Sequence, residues 1–84
     1  MIIAKFVRPD AAMYQADIER ANKLLVVGQE YVVESAYVQS FCTDVYLEGF
    51  KPPFNSCHFD FFKDGEEIDI VAEFRYTFDA DNIW

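Results

Sequence analysis

Residues 28–48, GQEYVVESAYVQSFCTDVYLE, decide the fold. Glycine ends whatever precedes it, and aromatic and β-branched side chains then alternate with polar ones at a spacing of two. Tyr31 to Val38 reads as a first strand of this part, with Gln39-Ser40 as its turn. Phe41 to Glu48 reads as the next. There Phe41, Thr43, Val45 and Leu47 share one face and point inward, while Cys42, Asp44, Tyr46 and Glu48 share the other.

Upstream of Gly28 the period is different. Tyr14, Ile18, Ala21 and Leu25 fall on one side of a helix, with Gln15, Asp17, Glu19, Arg20, Asn22 and Lys23 between them. Pro9-Asp10 supplies a start signal and Gly28 a stop, so the expected helix runs from about residue 11 to 26. Ile2 to Val7 is β-prone and reads as an edge strand. Downstream, Gly49-Phe50-Lys51-Pro52-Pro53 interrupts the ladder, because proline has no amide hydrogen to donate. A further strand starts near Phe54. Its apolar set is Asn55, Cys57, Phe59 and Phe61, which leaves Ser56, His58, Asp60 and Phe62 facing out. Lys63-Asp64-Gly65-Glu66 is a hairpin turn, after which Ile68 and Ile70 point inward and Val71 to Phe78 extends or follows the strand.

One helix leading into four or five short strands gives an α+β fold. With 84 residues there is too little chain for two large sheets. The economical arrangement is a strongly bent antiparallel sheet closing into a small SH3-like β-barrel, with the N-terminal amphipathic helix packed on it. A single domain over residues 1–84 is expected, with the helix at about 11–26 and the barrel at about 29–78. Nine Phe, five Tyr and one Trp supply much of a thin core.

Charge is unevenly placed. Up to Lys23 there are four basic residues and three acidic ones, whereas the remainder carries twelve acidic against three basic, giving a net charge of −8 overall. A field of that sign repels phosphate backbones, so direct nucleic-acid binding is not expected. The acidity has two readings: it keeps an aromatic-rich domain soluble, or its carboxylates imitate a row of phosphates. Glu67, Asp69 and Glu73 would make one such row, and Asp44, Glu48 and Asp60 a second. Tyr46, Phe50, Pro52, Pro53 and Phe54 gather around one connection, where they either line a binding groove or plug the end of the barrel.

Catalytic and metal motifs find no footing. Cys57 and His58, adjacent on a strand, point to opposite faces and cannot readily share a zinc site with Cys42 and Asp60. His58 reads as a solvent-facing strand residue. Gly28, Gly49 and Gly65 form no phosphate-cradling loop. No catalytic residue, metal or cofactor is expected. The longest unbroken aliphatic run, residues 24–27, is far too short for a bilayer, and the start of the chain resembles no secretory signal, so a cytoplasmic protein with reduced cysteines is expected.

The stretch from Val27 to Ile70 resembles small uncharacterised proteins encoded by phages and prophages of Gram-positive bacteria. The likeness rests on Gly28 and Tyr31, on Thr43-Asp44-Val45-Tyr46-Leu47, and on Phe54-Asn55-Ser56 leading into Phe59-Asp60-Phe61. The chain departs from that pattern at Cys57, where an aliphatic residue is usual. The resemblance implies an SH3-like fold and no agreed activity.

The expectation is therefore a non-enzymatic phage-type accessory protein that binds another protein through an acidic, aromatic-rich β surface. Its candidate binding residues are Asp44, Tyr46, Glu48, Phe50, Phe54, Asp60, Glu67, Asp69 and Glu73. A DNA-mimic inhibitor of a host nuclease or DNA-binding protein is the alternative, and a small-molecule binder using the Phe50 to Phe54 loop is a third. No membrane partner is expected; a homo-oligomer is compatible with the sequence.

Overall fold

The structure is a computed structural model and describes residues 1–12, 14–39 and 43–74. Its elements in chain order are β1 (Ile2–Phe6), α1 (Gln15–Leu24), β2 (Glu30–Val38), β3 (Thr43–Leu47), β4 (Phe54–Asn55), β5 (Phe59–Lys63) and β6 (Glu66–Ile68). A 3-10 turn, Ser56–His58, separates β4 from β5, and residues 70–74 are helical. The strands form one antiparallel sheet in the order β4-β3-β2-β1-β5-β6. That sheet is open, which corrects the expected SH3-like barrel. Its two ends are β4, of two residues, and β6, of three, and they do not pair with each other.

The first strand is also corrected. Rather than lying at an edge, β1 is central, pairing with β2 through Ala4↔Tyr31 and with β5 through Ala4↔Phe61 and Phe6↔Phe59. Ala4 and Phe6 are fully buried. The small Ala4 sits between two aromatic neighbours, Tyr31 and Phe61, a large-small-large alternation across three strands.

Two local irregularities set which side chains enter the core. A β-bulge lies between Val33 and Ser35, where the β2–β3 register slips from Val33↔Leu47 to Ser35↔Tyr46. The extra residue reverses the alternation. Tyr31 and Val33 point into the core before it, and Ala36 and Val38 after it. The 3-10 turn does the same between Phe54 and Phe59, five positions apart yet both buried. Asn55 starts it, its side-chain oxygen accepting the Cys57 N–H at 3.1 Å. His58 is consequently buried, not solvent-facing.

The inner face of the sheet is covered by α1 through Ala21 and Leu25, with Phe50, Ile70, Val71 and Phe74 completing the cluster. The helix is shorter than the sequence suggests and starts later. Asp10 does not cap it; Tyr14 is the N-cap residue and offers no side-chain bond. Asn22 instead ties α1 to the preceding loop, donating to the Pro9 carbonyl at 3.1 Å. Gly28, with φ of 88°, lies beyond the helix in the turn that returns the chain to β1, its N–H donating to Phe6 O at 2.7 Å. The Lys63–Glu66 hairpin forms as expected, with positive φ at both Asp64 and Gly65. Residues 71–74 are helical and not a strand extension, while residues 75–78 fall outside the described residues.

Candidate functional site: the outer face of the sheet

Alternation that buries Ala4, Phe6, Phe59 and Phe61 turns Ile3, Lys5, Asp60 and Phe62 to the opposite face. The register assembles these residues across four strands. Val32, Ile3, Phe62 and Glu67 are successive partners in one row, and Glu30, Lys5 and Asp60 in the next. Glu48, one residue past β3, prolongs the first row, since its N–H donates to Val32 O at 2.9 Å. The result is an apolar centre of three half-buried side chains between Glu48 and Glu67. A cleft of about 290 Å³ opens on this face, lined by Ile3, Lys5, Glu30, Phe62 and Gly65.

Charges on the face are mixed but unequal. Lys5 lies between Glu30 and Asp60 in the register. Asp60 is paired with Arg8 at 2.9 Å, with Arg8 exposed and Asp60 half-buried at the surface, so this ion pair contributes at most about 1 kcal/mol. Arg8 does more as a clamp. Its Nε donates to Cys57 O at 2.9 Å and its Nη2 to Phe59 O, fixing the turn that precedes β5. Asp44 accepts a hydrogen bond from Gln39 at 3.0 Å.

The residues singled out from the sequence divide into three groups. Asp44, Tyr46, Glu48, Asp60 and Glu67 share the outer face. Asp44 and Asp60 are nevertheless three strands apart, roughly 14 Å at the usual inter-strand spacing. Phe50 and Phe54 lie on the other side. Phe54 is 2% exposed, and Phe50 stacks edge-on against both Phe54 and Tyr31 at ring separations of 5.8 and 5.6 Å. Phe54 is a core ring, and Phe50 packs half-buried against the core. Asp69 and Glu73 form the third group. The Asp69 carboxylate accepts the Val71 N–H at 3.0 Å at the start of helical residues 70–74, and Glu73 pairs with Lys63 at 3.2 Å. They are therefore not in line with Glu67.

Sequence reasoning missed Ile3, Lys5, Val32 and Gly65 as members of this face. The signal was present: Ile3 and Lys5 alternate with Ile2, Ala4 and Phe6, which is informative once β1 is known to be central. Among the described residues, no group of three or more His, Cys, Asp or Glu side chains is placed to hold a metal ion, and Cys42 lies outside those residues. No helix among them is long and apolar enough to cross a membrane.

A family model described as bacteriophage T4 protein Y07B matches residues 1–81. No curated protein and no solved structure matches the chain. The match supports the phage attribution implied by the resemblance above, and supports neither its Gram-positive origin nor its SH3-like fold. Covering nearly the whole chain, it shows that the protein belongs to the bacteriophage T4 protein Y07B family.

Proposed function

We propose that this phage-family protein is a non-enzymatic accessory factor that binds another protein through the outer face of its sheet. The observation that carries the reading is the row Val32–Ile3–Phe62, an apolar strip set between Glu48 and Glu67. Apolar side chains ringed by charge are how protein-binding patches are commonly built. The DNA-mimic reading has less support, because Asp60, Asp69 and Glu73 are engaged by Arg8, the Val71 amide and Lys63 respectively. A small-molecule site also has less support, since the cleft is at the lower limit of ligand-pocket volumes.

Cross-linking in phage-infected cells tests the proposal. The wild-type protein should give one dominant cross-linked protein through positions on the outer face. Phe62→Ser should abolish the product, while Tyr14→Ser on the exposed start of α1 should leave it unchanged. Equal capture by both variants would refute the reading.

A further inference from the structure

Resting on that reading, we propose that the partner is a basic protein whose arginine side chain seats over Phe62. The ring is half-buried, and carboxylates lie on two sides of it. Glu67 is its cross-strand partner on β6, and Asp60, one oxygen of which Arg8 already holds at 2.9 Å, lies two residues back on the same face of β5. Those neighbours are roughly 5 Å and 7 Å away at ordinary sheet spacings. On the remaining side Ile3 continues the apolar floor into the cleft, where Glu30 adds a third carboxylate beside its cross-strand partner Lys5. An aromatic face with a carboxylate at its rim suits a flat cation, which lies on the ring while donating sideways to Glu67.

Charge and size narrow the occupant. On this face Glu30, Asp44, Glu48, Asp60 and Glu67 outnumber Lys5 and Arg8, and the whole chain carries −8. A second copy would bring the same excess of negative charge, and nucleic acid would be repelled. A cleft of about 290 Å³ suits one long side chain better than a drug-sized ligand. Arginine is favoured over lysine. Its guanidinium is planar and weakly hydrated, so stacking on Phe62 and forked hydrogen bonding to a carboxylate are possible together.

The test is an amide-shift titration of the isotopically labelled full chain with two acetylated, amidated pentapeptides, Arg-Leu-Arg-Leu-Arg and Lys-Leu-Lys-Leu-Lys. The arginine peptide should shift the Ile3, Glu30, Phe62 and Gly65 amides saturably, with the lysine peptide about tenfold weaker. Phe62→Leu keeps an apolar side chain but removes the ring, and Glu67→Lys reverses a rim charge; each should weaken binding by about tenfold. Glu19→Lys makes the same charge change on α1 and should have no such effect. The inference fails if the two peptides bind equally, or if Glu19→Lys weakens binding as much as Glu67→Lys. It also fails if a DNA duplex or a second copy of the chain occupies the face. Were the peptides to fail while cross-linking still depended on Phe62, the arginine inference would fall and the protein-binding reading would stand.

Discussion

His58 has no exposed surface, and its Nδ1 lies 2.7 Å from the carbonyl oxygen of Arg8. That contact fixes the tautomer, with Nδ1–H donating, and leaves Nε2 buried without a partner among the described residues. The backbone N–H groups of Val7 and Arg8 both donate to the His58 carbonyl at 3.0 Å, so the imidazole and the end of β1 hold each other. Phe6 and Phe59 pack edge-on around the ring. His58→Ala should cost about 3 kcal/mol, from lost packing and the loss of the shorter of the two hydrogen bonds to the Arg8 carbonyl, which keeps the Ala11 N–H. His58→Phe keeps the ring volume and loses only the hydrogen bond, so a cost nearer 1 kcal/mol is expected. Urea unfolding followed by circular dichroism measures both; equal costs would mean that ring packing is unimportant. None of this was legible in the alternation around His58. Period-two reading placed it outside because it assumed an unbroken strand, and a three-residue 3-10 turn rotates the side chain inward.

At the scale of elements, most types were legible and several boundaries were not. The β5–β6 hairpin followed from Asp64-Gly65, since a tight turn with positive φ at both central positions selects those residues. Gly65 has φ of 88°, and an added Cβ would meet open space. Gly65→Ala should therefore cost about 1 kcal/mol through backbone strain alone, with no steric clash. Differential scanning calorimetry should show a lowered Tm for Gly65→Ala, while Asp64→Asn, which accepts the same conformation, should leave it nearly unchanged. For α1 the sequence erred at the start. Pro9-Asp10 looks like a helix opening, but Ala11 N–H bonds to Arg8 O at 3.3 Å, making a turn that precedes the helix. Propensity cannot distinguish these outcomes. What selects between them is where Ala21 and Leu25 must land on the sheet.

At the scale of the molecule, the position of β1 matters most. It pairs with β2 and β5 and so joins β4-β3-β2 to β5-β6. Removing residues 1–6 should split the sheet at its middle and expose Phe59 and Phe61. The truncated chain should show no cooperative unfolding transition, whereas loss of an edge strand would leave a weakened one. Thermal denaturation separates the two results. The same central placement explains why the outer face was only partly foreseen. Asp44, Tyr46, Glu48, Asp60 and Glu67 were singled out for charge and aromatic character, while Ile3, Val32 and Phe62 became neighbours only through pairing between strands distant in sequence.

Local spacing and charge were enough for most of the element types, the inward faces of β3 and β5, the hairpin turn and the excess of acid after Lys23, but not for the 3-10 turn or the helical residues 70–74. Each legible feature follows from spacing or charge within a few residues. Tertiary structure alone decided that the sheet stays open, that β1 lies at its centre, and that the bulge and the 3-10 turn reverse the alternation. Those outcomes depend on which strands find one another, and the energy that selects among pairings comes from burying Ala4, Phe6, Phe59 and Phe61 in one layer.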